Sequence, residues 1–249
     1  IKATFFCVGQ LAVEFPEIIK KVVACGHEIG SHSNRHLWIT KMTCEEFAED
    51  TRIAVSELEN LTSKKVKSFR APAFSIGKDN DWAFEVLAEN GIENDCSVFP
   101  TNRDFGGFPQ FQASVPSILT KGEYEMKEFP ICPATFLNKK LPFSGGGYFR
   151  LVPLTLQKHF IDKMDYVMFY FHINDLIEES SKFMSRTEYE EYFKEPGTLK
   201  NRMSRYVKTN IGKGSAKKKL EVLLKQYEFV NVEKAAKIID WVKQPIVNL

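Results

Sequence analysis

The sequence predicts an α/β fold in which a mostly parallel β-sheet is covered by helices. Strand-like and helix-like segments alternate along the chain, and the strand-like segments are continuous apolar runs. Such runs are typical of parallel strands that are buried on both faces of the sheet. The length of 249 residues matches a (β/α) barrel, which usually has about 250 residues. We therefore expect a single domain over residues 1–249, without a linker or an internal repeat.

The first half of the chain alternates between strands and helices. The predicted order is strand 1–9, helix 16–25, strand 27–33, helix 43–61, strand 66–70, helix 79–90 and strand 92–98. The first and third of these helices are each followed by a glycine, Gly26 and Gly91, which is a common way for a helix to end. The second helix begins with a capping box, Thr43 with Glu46 three residues later.

The second half of the chain is less regular. Its predicted elements are strand 126–132, helix 153–164, strand 166–173, helix 199–210, helix 215–227 and strand 229–232. Residues 99–124 are rich in Phe, Gly and Pro, and they are predicted as a long loop with little regular structure. Loops of this length are usually functional or mobile, so this segment is a candidate part of a site.

Composition argues against several classes of protein. The net charge of +2 is far below the basic excess of a dedicated nucleic-acid binder. No apolar run reaches the roughly 18 residues that a transmembrane helix needs. The five cysteines are an odd number, are widely spread and lack CxxC spacing, so we expect no disulfide framework. Reduced thiols in a cytoplasmic protein are the expected state.

The histidines point to a metal site. Three of the five histidines lie between residues 27 and 36. His32 and His36 are four residues apart, so their rings would face the same way in a single helical turn. Two neutral imidazoles suit zinc, cobalt or nickel, although a pair at this spacing alone is weak evidence. Arg70, Asp95 and His172 also lie at or near the ends of predicted strands, which is where barrel enzymes keep their chemistry.

Six short motifs occur in order along the chain. They are KATFF at 2–6, GHEIGSH at 26–32 with His36 after it, RAPAFSI at 70–76, DCSVFP at 95–100, GGGYFR at 145–150, and FH at 171–172. On these motifs the chain resembles polysaccharide deacetylases of the NodB-homology type, carbohydrate esterase family 4. More narrowly, it is similar to the subgroup found with exopolysaccharide and exosortase gene clusters. The resemblance implies a deformed (β/α) barrel of about seven strands, a divalent metal that is usually zinc, and removal of acetyl groups from N-acetylhexosamines in a polymer.

The resemblance also implies roles for individual residues. His32 and His36 would be metal ligands, and the metal would polarise the amide carbonyl and activate a water molecule. His172 would be the general acid that protonates the departing amine, a task that suits an imidazole. Arg70 would orient the carboxylate of the catalytic base, and the backbone N–H of Ala73 would stabilise the oxyanion.

Other motif residues receive supporting roles. Asp95 is predicted either to orient a catalytic group or to cap a turn. Phe74, Tyr148 and Phe171, the aromatic members of three motifs, are predicted to contact the substrate. Phe105, Phe108 and Phe111 in the long loop either stack on sugar rings, which we favour, or anchor the loop. His27 is expected to make a structural hydrogen bond.

One departure from the family pattern concerns the first motif. In the family that motif carries two carboxylates, the catalytic base and the third metal ligand, and it precedes the strand with which this chain begins. We therefore expect an N-terminally truncated catalytic domain whose first strand and third ligand lie upstream of residue 1. The strand that begins at Ala3 would then present an open edge, and self-association through that edge is expected.

The sequence thus predicts a metal-dependent hydrolase of non-peptide C–N bonds. The expected substrate is an acetamido sugar in a bacterial polysaccharide or in its precursor. Two alternatives remain open. One is an amidohydrolase on the same fold that acts on a small amide or a cyclic ureide, and the other is a non-catalytic glycan-binding module.

Overall fold

The computed structural model describes residues 1–102, 106–137, 139–193 and 195–249, and the chain divides into two compact units. The first unit comprises Ile1–Cys132 and Phe229–Leu249, and the second comprises Pro133–Glu228. The first unit contains β1 (Thr4–Cys7), α1 (Gly9–Glu14), α2 (Pro16–Ala24), β2 (Glu28–Ser31), α3 (Cys44–Thr62), β3 (Ser68–Phe69), α4 (Ala83–Glu89), β4 (Asn94–Asp95), β5 (Ser117–Lys121) and β6 (Tyr124–Glu128). The second contains β7 (Ala134–Phe136), β8 (Lys139–Leu141), α5 (Gly146–Leu151), α6 (Leu154–Ile161), α7 (Ile173–Leu176), α8 (Arg186–Phe193), α9 (Leu199–Asn210) and α10 (Lys213–Gln226). The chain then returns to the first unit with α11 (Val232–Ile238) and β9 (Ile246–Asn248).

The first unit is built on a seven-stranded sheet in the order β1-β2-β3-β4-β6-β5-β9. From β1 to β6 the neighbouring strands in this order are parallel, whereas β5 runs antiparallel to β6 and parallel to β9. The predicted α/β fold with a mostly parallel sheet is therefore confirmed. The expectation that this chain lacks the first strand of a NodB-like deformed barrel stays a prediction. Among the described strands, β1 and β9 form the two edges of the sheet. The assignment of residues 1–249 to one catalytic domain stays a prediction.

The carboxyl ends of four neighbouring strands are in register. From β2 to β6, the residues that lie opposite one another are Ser31, Phe69, Asp95 and Glu128. Because these strands are parallel, the residues that follow this row emerge at one edge of the sheet. His32 and Arg70 are the next residues after β2 and β3, so the fold brings two of the predicted motifs together.

Helix α3 covers the sheet close to this edge. The predicted capping box is confirmed: the N–H of Glu46 donates to Thr43 Oγ1 over 3.2 Å, and the N–H of Thr43 donates to Glu46 Oε2 over 2.9 Å. Phe47 of α3 is fully buried, and its ring packs edge-on to that of Phe69 with 5.8 Å between centroids. Asp50 lies one turn further along α3 and is also buried.

Three predicted elements differ in the structure. Residues 99–124 contain β5, which pairs with β6 across a turn at Gly122 with φ 57°. The strand predicted at 166–173 is wrong, because this apolar run makes only an isolated bridge between Tyr170 and Gly145 and packs its aromatic rings against α5. The strand predicted at 229–232 is also wrong, because Asn231 caps the start of α11.

The second unit has its own small core. It contains a hairpin in which β7 pairs antiparallel with β8. The buried residues of this core are Ala134 on β7, Phe160 on α6, and Phe143 and Val152 in the segments before and after α5. Among the described residues of the whole chain, no helix has both the length and the apolar character needed to cross a membrane.

Candidate functional site

His32 and His36 lie in a bend that follows β2. Their ring centroids are 5.0 Å apart and the ring planes are inclined by 69°. The sequence prediction of a helical turn is wrong, because Ser33 and His36 have positive φ angles of 64° and 57°, which a right-handed helix does not contain. The two rings are nevertheless neighbours, so the spacing predicted their proximity correctly but not the backbone conformation that produces it.

Buried polar contacts hold this bend. The Asp50 carboxylate on α3 accepts a hydrogen bond from the N–H of Asn34 over 2.6 Å and another from Arg35 Nε over 3.1 Å. Within the bend, the N–H of His36 donates to Ser33 Oγ over 2.9 Å. On the other side, a Cβ at Gly9 would lie 2.7 Å from Asn34 Oδ1 and 2.9 Å from the backbone of α3. The bend is therefore packed between α1 and α3, with no room at residue 9 for a side chain.

A hydrogen bond fixes the ring orientation of His32. Its Nδ1 lies 2.5 Å from the carbonyl oxygen of Arg70. Because a carbonyl oxygen only accepts, Nδ1 carries a proton, and in the neutral ring Nε2 is then the nitrogen that has a lone pair. Histidine ligands of metals are commonly oriented in this way by a carbonyl or a carboxylate. His27, by contrast, accepts a hydrogen bond from the N–H of Ala3 over 3.1 Å, as its predicted structural role requires.

The segment after β3 forms a strained turn. Arg70 Nε donates to the carbonyl of Cys96 over 3.1 Å, and the guanidinium lies 4.5 Å from the centre of the Phe6 ring. Ala73 and Phe74 both have positive φ angles, 55° and 54°, which non-glycine residues rarely adopt. Phe74 is only 6% exposed and packs edge-on to Phe99. The roles predicted for Arg70, Ala73 and Phe74 stay predictions.

Asp95 is fully buried beside this turn. Its carboxylate accepts hydrogen bonds from the N–H of Ser97 over 2.8 Å and from Ser97 Oγ over 2.6 Å, which is the local turn contact that the sequence allowed. Ser97 Oγ in turn accepts from the N–H of Ala71 over 2.8 Å. Burial raises the pKa of Asp95, although hydrogen bonds from Glu128 and Ser97 and the charge of Arg70 oppose the shift.

His172, Phe171 and Tyr148 belong to the second unit. The His172 side chain is 74% exposed, and its Nδ1 lies 3.3 Å from Asp175 Oδ2. The backbone N–H of His172 donates to the same oxygen over 3.0 Å. Phe171 packs against Phe149 with 4.8 Å between ring centroids, and Tyr148 on α5 is 38% exposed. An exposed imidazole with an oriented Nδ1 has the form that a general acid needs, and its catalytic role stays a prediction.

The long-loop phenylalanines are not surface groups. Phe108 and Phe111 are 4% and 2% exposed, and their rings lie 5.6 Å apart in the core of the first unit. The favoured prediction that they stack on sugar rings is therefore wrong, and they anchor the loop instead. Phe105 lies outside the described residues.

Sequence reasoning missed three carboxyl groups near these residues. They are Asp50 beneath the histidine bend, Glu128 beside Asp95, and Asp175 beside His172. Only Asp175 had a local signal, because it follows His172 at capping-box spacing. Within the described residues, no group of three or more His, Cys, Asp or Glu side chains is placed to hold a metal ion. The five cysteines are free thiols.

Two family models match the chain in succession. The model described as polysaccharide deacetylase matches residues 1–94, and the model described as domain of unknown function (DUF3473) matches residues 96–237. The histidine bend and the Arg70 turn fall in the first match, whereas His172 falls in the second.

Two bacterial deacetylases each match only part of the chain. It is 32% identical over 87 residues to a peptidoglycan-N-acetylglucosamine deacetylase of Bacillus cereus, covering 34% of this chain and 31% of that protein. It is 28% identical over 98 residues to the peptidoglycan deacetylase of Helicobacter pylori, covering 39% of this chain and 32% of that protein. These matches thus span about a third of each relative.

One solved structure aligns with almost the whole chain. It is described as a CE4 family pseudoenzyme from Bacillus anthracis, and it is 12% identical with a TM-score of 0.48, covering 99% of this chain and 57% of that one.

The two family models together account for nearly all of residues 1–237. The chain therefore belongs to the DUF3473 family, and its residues 1–94 are a polysaccharide deacetylase domain of the NodB type that its motifs resemble.

Proposed function

We propose that this chain carries the metal-binding part of a hydrolase that N-deacetylates acetamido sugars in a bacterial polysaccharide or in its precursor. The observation that supports this most strongly is the pair His32 and His36. Their rings lie 5.0 Å apart where a parallel strand ends, within the segment that matches polysaccharide deacetylases. A site at the carboxyl ends of parallel strands is where folds of this class hold their ligands.

The imidazole pair fits two positions of a divalent metal site. With Nδ1 of His32 donating to the Arg70 carbonyl, Nε2 is the nitrogen of the neutral ring that could bind an ion, and imidazole nitrogens suit zinc and cobalt. When bound, the ion would supply Lewis-acid polarisation of the amide carbonyl. The resemblance implies that carboxylates supply the third ligand and the catalytic base.

The chain's own groups would handle charge and protons. The backbone N–H of Ala73 would donate to the oxygen that becomes negative during amide hydrolysis, and Arg70 would orient the base. As an imidazolium, His172 would donate from Nδ1 to Asp175 and give the proton on Nε2 to the departing amine. Tyr148 and Phe171 would contact the sugar rings, whereas Phe74, nearly buried, would offer only a ring edge.

The test is metal binding and acetate release by histidine variants of the full-length protein. Zinc binding to metal-free protein is measured by calorimetry, and acetate release is measured on a chitooligosaccharide. We expect His32→Ala and His36→Ala each to abolish both. His159→Ala is the matched control, because His159 is exposed on α6 and lies in none of the six motifs. Zinc binding and turnover that survive both substitutions in the bend would contradict the proposal.

The same assays separate the alternatives. Hydrolysis of a cyclic ureide by metal-free protein, without acetate release from sugars, would identify the small-amide amidohydrolase. Binding of the chitooligosaccharide without turnover at any metal concentration would identify a glycan-binding module. Zinc as the native ion, the exosortase-linked subgroup, the cytoplasmic location and self-association through β1 stay predictions.

A further inference from the structure

We propose that Glu128 is a positioning residue of this site, and that it shares one proton with Asp95 to hold the Arg70–Phe74 turn in place. This inference rests on the proposed function for its catalytic consequence. Its structural part, one proton held between two buried carboxyl groups, can be tested without any activity.

The two carboxyl groups are adjacent and enclosed. Asp95 on β4 lies directly opposite Glu128 on β6 in the parallel ladder, so their side chains leave the sheet on the same face. Both residues have 0% exposure. Two carboxylates enclosed together are strongly unfavourable, because burial and like charge both oppose ionisation.

Hydrogen bonds decide which group keeps the proton. Asp95 accepts two hydrogen bonds from Ser97, whereas Glu128 accepts one, from the N–H of Val98 to Oε1 over 3.2 Å. Glu128 Oε2 receives no N–H or hydroxyl donor within the described residues. A proton on Glu128 that is donated to Asp95 satisfies both groups, and the positive charge of Arg70 favours the one negative charge that remains.

The electrostatics agree with this assignment. Burial raises the pKa of Glu128 well above its ordinary value, and the negative charge of Asp95 adds to the shift. Arg70 is the cation that acts on both carboxyl groups. The neighbouring Cys96 thiol stays neutral, because burial raises its pKa well above the ordinary range.

A chain of hydrogen bonds connects this pair to the predicted oxyanion turn. The proton of Glu128 fixes the Asp95 carboxylate, which accepts the hydroxyl proton of Ser97. Ser97 Oγ can then only accept from Ala71, whose N–H lies 2.8 Å away. Ala71 precedes Ala73, whose positive φ persists only where surrounding contacts fix the backbone. Glu128 therefore acts on the site through Asp95 and Ser97, without touching the substrate.

The experiment compares three variants in the full-length enzyme. Glu128→Gln keeps one donor and one acceptor in the same places, so it is the conservative rescue, and Glu128→Leu removes both. Glu125→Gln is the control, because Glu125 lies on the same strand and is exposed. We expect Glu128→Leu to lower kcat by about 10–100-fold, the usual cost of losing a supporting contact. We expect Glu128→Gln to restore most of that loss with an unchanged pH profile.

A second readout does not depend on catalysis. In wild-type protein carrying a ¹³C-labelled carboxyl at Glu128, the chemical shift should remain that of a protonated acid at pH 7. An exposed glutamate, by contrast, titrates at about pH 4.3. Titration of Glu128 near that ordinary midpoint would overturn the inference, as would a Glu128→Gln variant as impaired as Glu128→Leu. If the wild-type protein released no acetate, the proposed function would fail while the carboxyl titration still decided the shared proton.

Discussion

Replacing Asp50 with alanine should loosen the bend that holds His32 and His36 together. The N–H of Asn34 donates to the Asp50 carboxylate over 2.6 Å, and Arg35 Nε donates to the same carboxylate over 3.1 Å. Without the carboxylate, both donors lose their partner and the residues between the two histidines lose their attachment to α3. The metal ligands should therefore become less well aligned even though neither histidine is changed.

The expected magnitude follows from the burial of each partner. The Asp50 side chain is fully buried, and a hydrogen bond to a charged group contributes about 1.5–3 kcal/mol. The Arg35 side chain is 53% exposed, so its ion pair adds less than about 1 kcal/mol. We expect a loss of about 2–3 kcal/mol in the free energy of unfolding, which lowers Tm by about 4–12 °C for a chain of this size. Zinc affinity should fall by about 10–100-fold, as it does when a contact behind a metal ligand is removed.

The assay is a thermal melt of metal-free protein together with a zinc titration. Glu49→Ala is the control on the same helix, because Glu49 forms an exposed ion pair with Arg52, and it should leave both measurements unchanged. If Asp50→Ala is destabilised yet binds zinc as tightly as the wild-type protein, the proposed link between these contacts and zinc binding is refuted. That result would mean the bend does not set the ligand geometry.

Three further predictions concern the replacement of single residues. Glu28→Ala should lower the free energy of unfolding in urea by about 2–4 kcal/mol, because its carboxylate accepts from Thr4 Oγ1, Ser68 Oγ and the N–H of Glu233; an unchanged urea midpoint would contradict this. His172→Ala should lower kcat by about 10²–10⁴-fold without changing zinc content, and unchanged turnover would remove His172 from the mechanism. Burial alone would raise the pKa of Asp175, but its hydrogen bonds with His172 lower it below the ordinary value. Asp175 therefore stabilises the native state above about pH 4, and this contribution is lost as the pH falls through its lower native pKa. In Asp175→Asn the free energy of unfolding should consequently decrease less steeply as the pH is lowered through this range.

Local signals in the sequence predicted local structure well. The Thr43 capping box depends on residues three apart, and it is present as predicted. The spacing of His32 and His36 predicted neighbouring rings, because a bend of two left-handed residues brings them together as a helical turn would. The parallel sheet followed from continuous apolar strands, whose burial on both faces leaves a plain composition signal.

The missed features depend on distant partners. Asp50 occupies an acidic stretch of α3 that resembles a solvated face, and its function depends on Asn34, which lies 16 residues earlier in the chain. In the pairing of β5 with β9, Ile118 lies opposite Ile246. A local sequence pattern does not predict a partner strand so far along the chain. The strand predicted at 166–173 failed because hydrophobicity does not distinguish a paired strand from a run that packs its rings, as Phe171 does on Phe149.

The most direct measurement of the central claim is acetate release by metal-depleted full-length protein as zinc or cobalt is added back. The substrate is an N-acetylglucosamine oligomer. The proposed site predicts no acetate without an ion, activity that rises as one equivalent binds, and no recovery in a variant that lacks both His32 and His36. Acetate release that persists in metal-depleted protein, or that the double variant recovers with added ion, would contradict it.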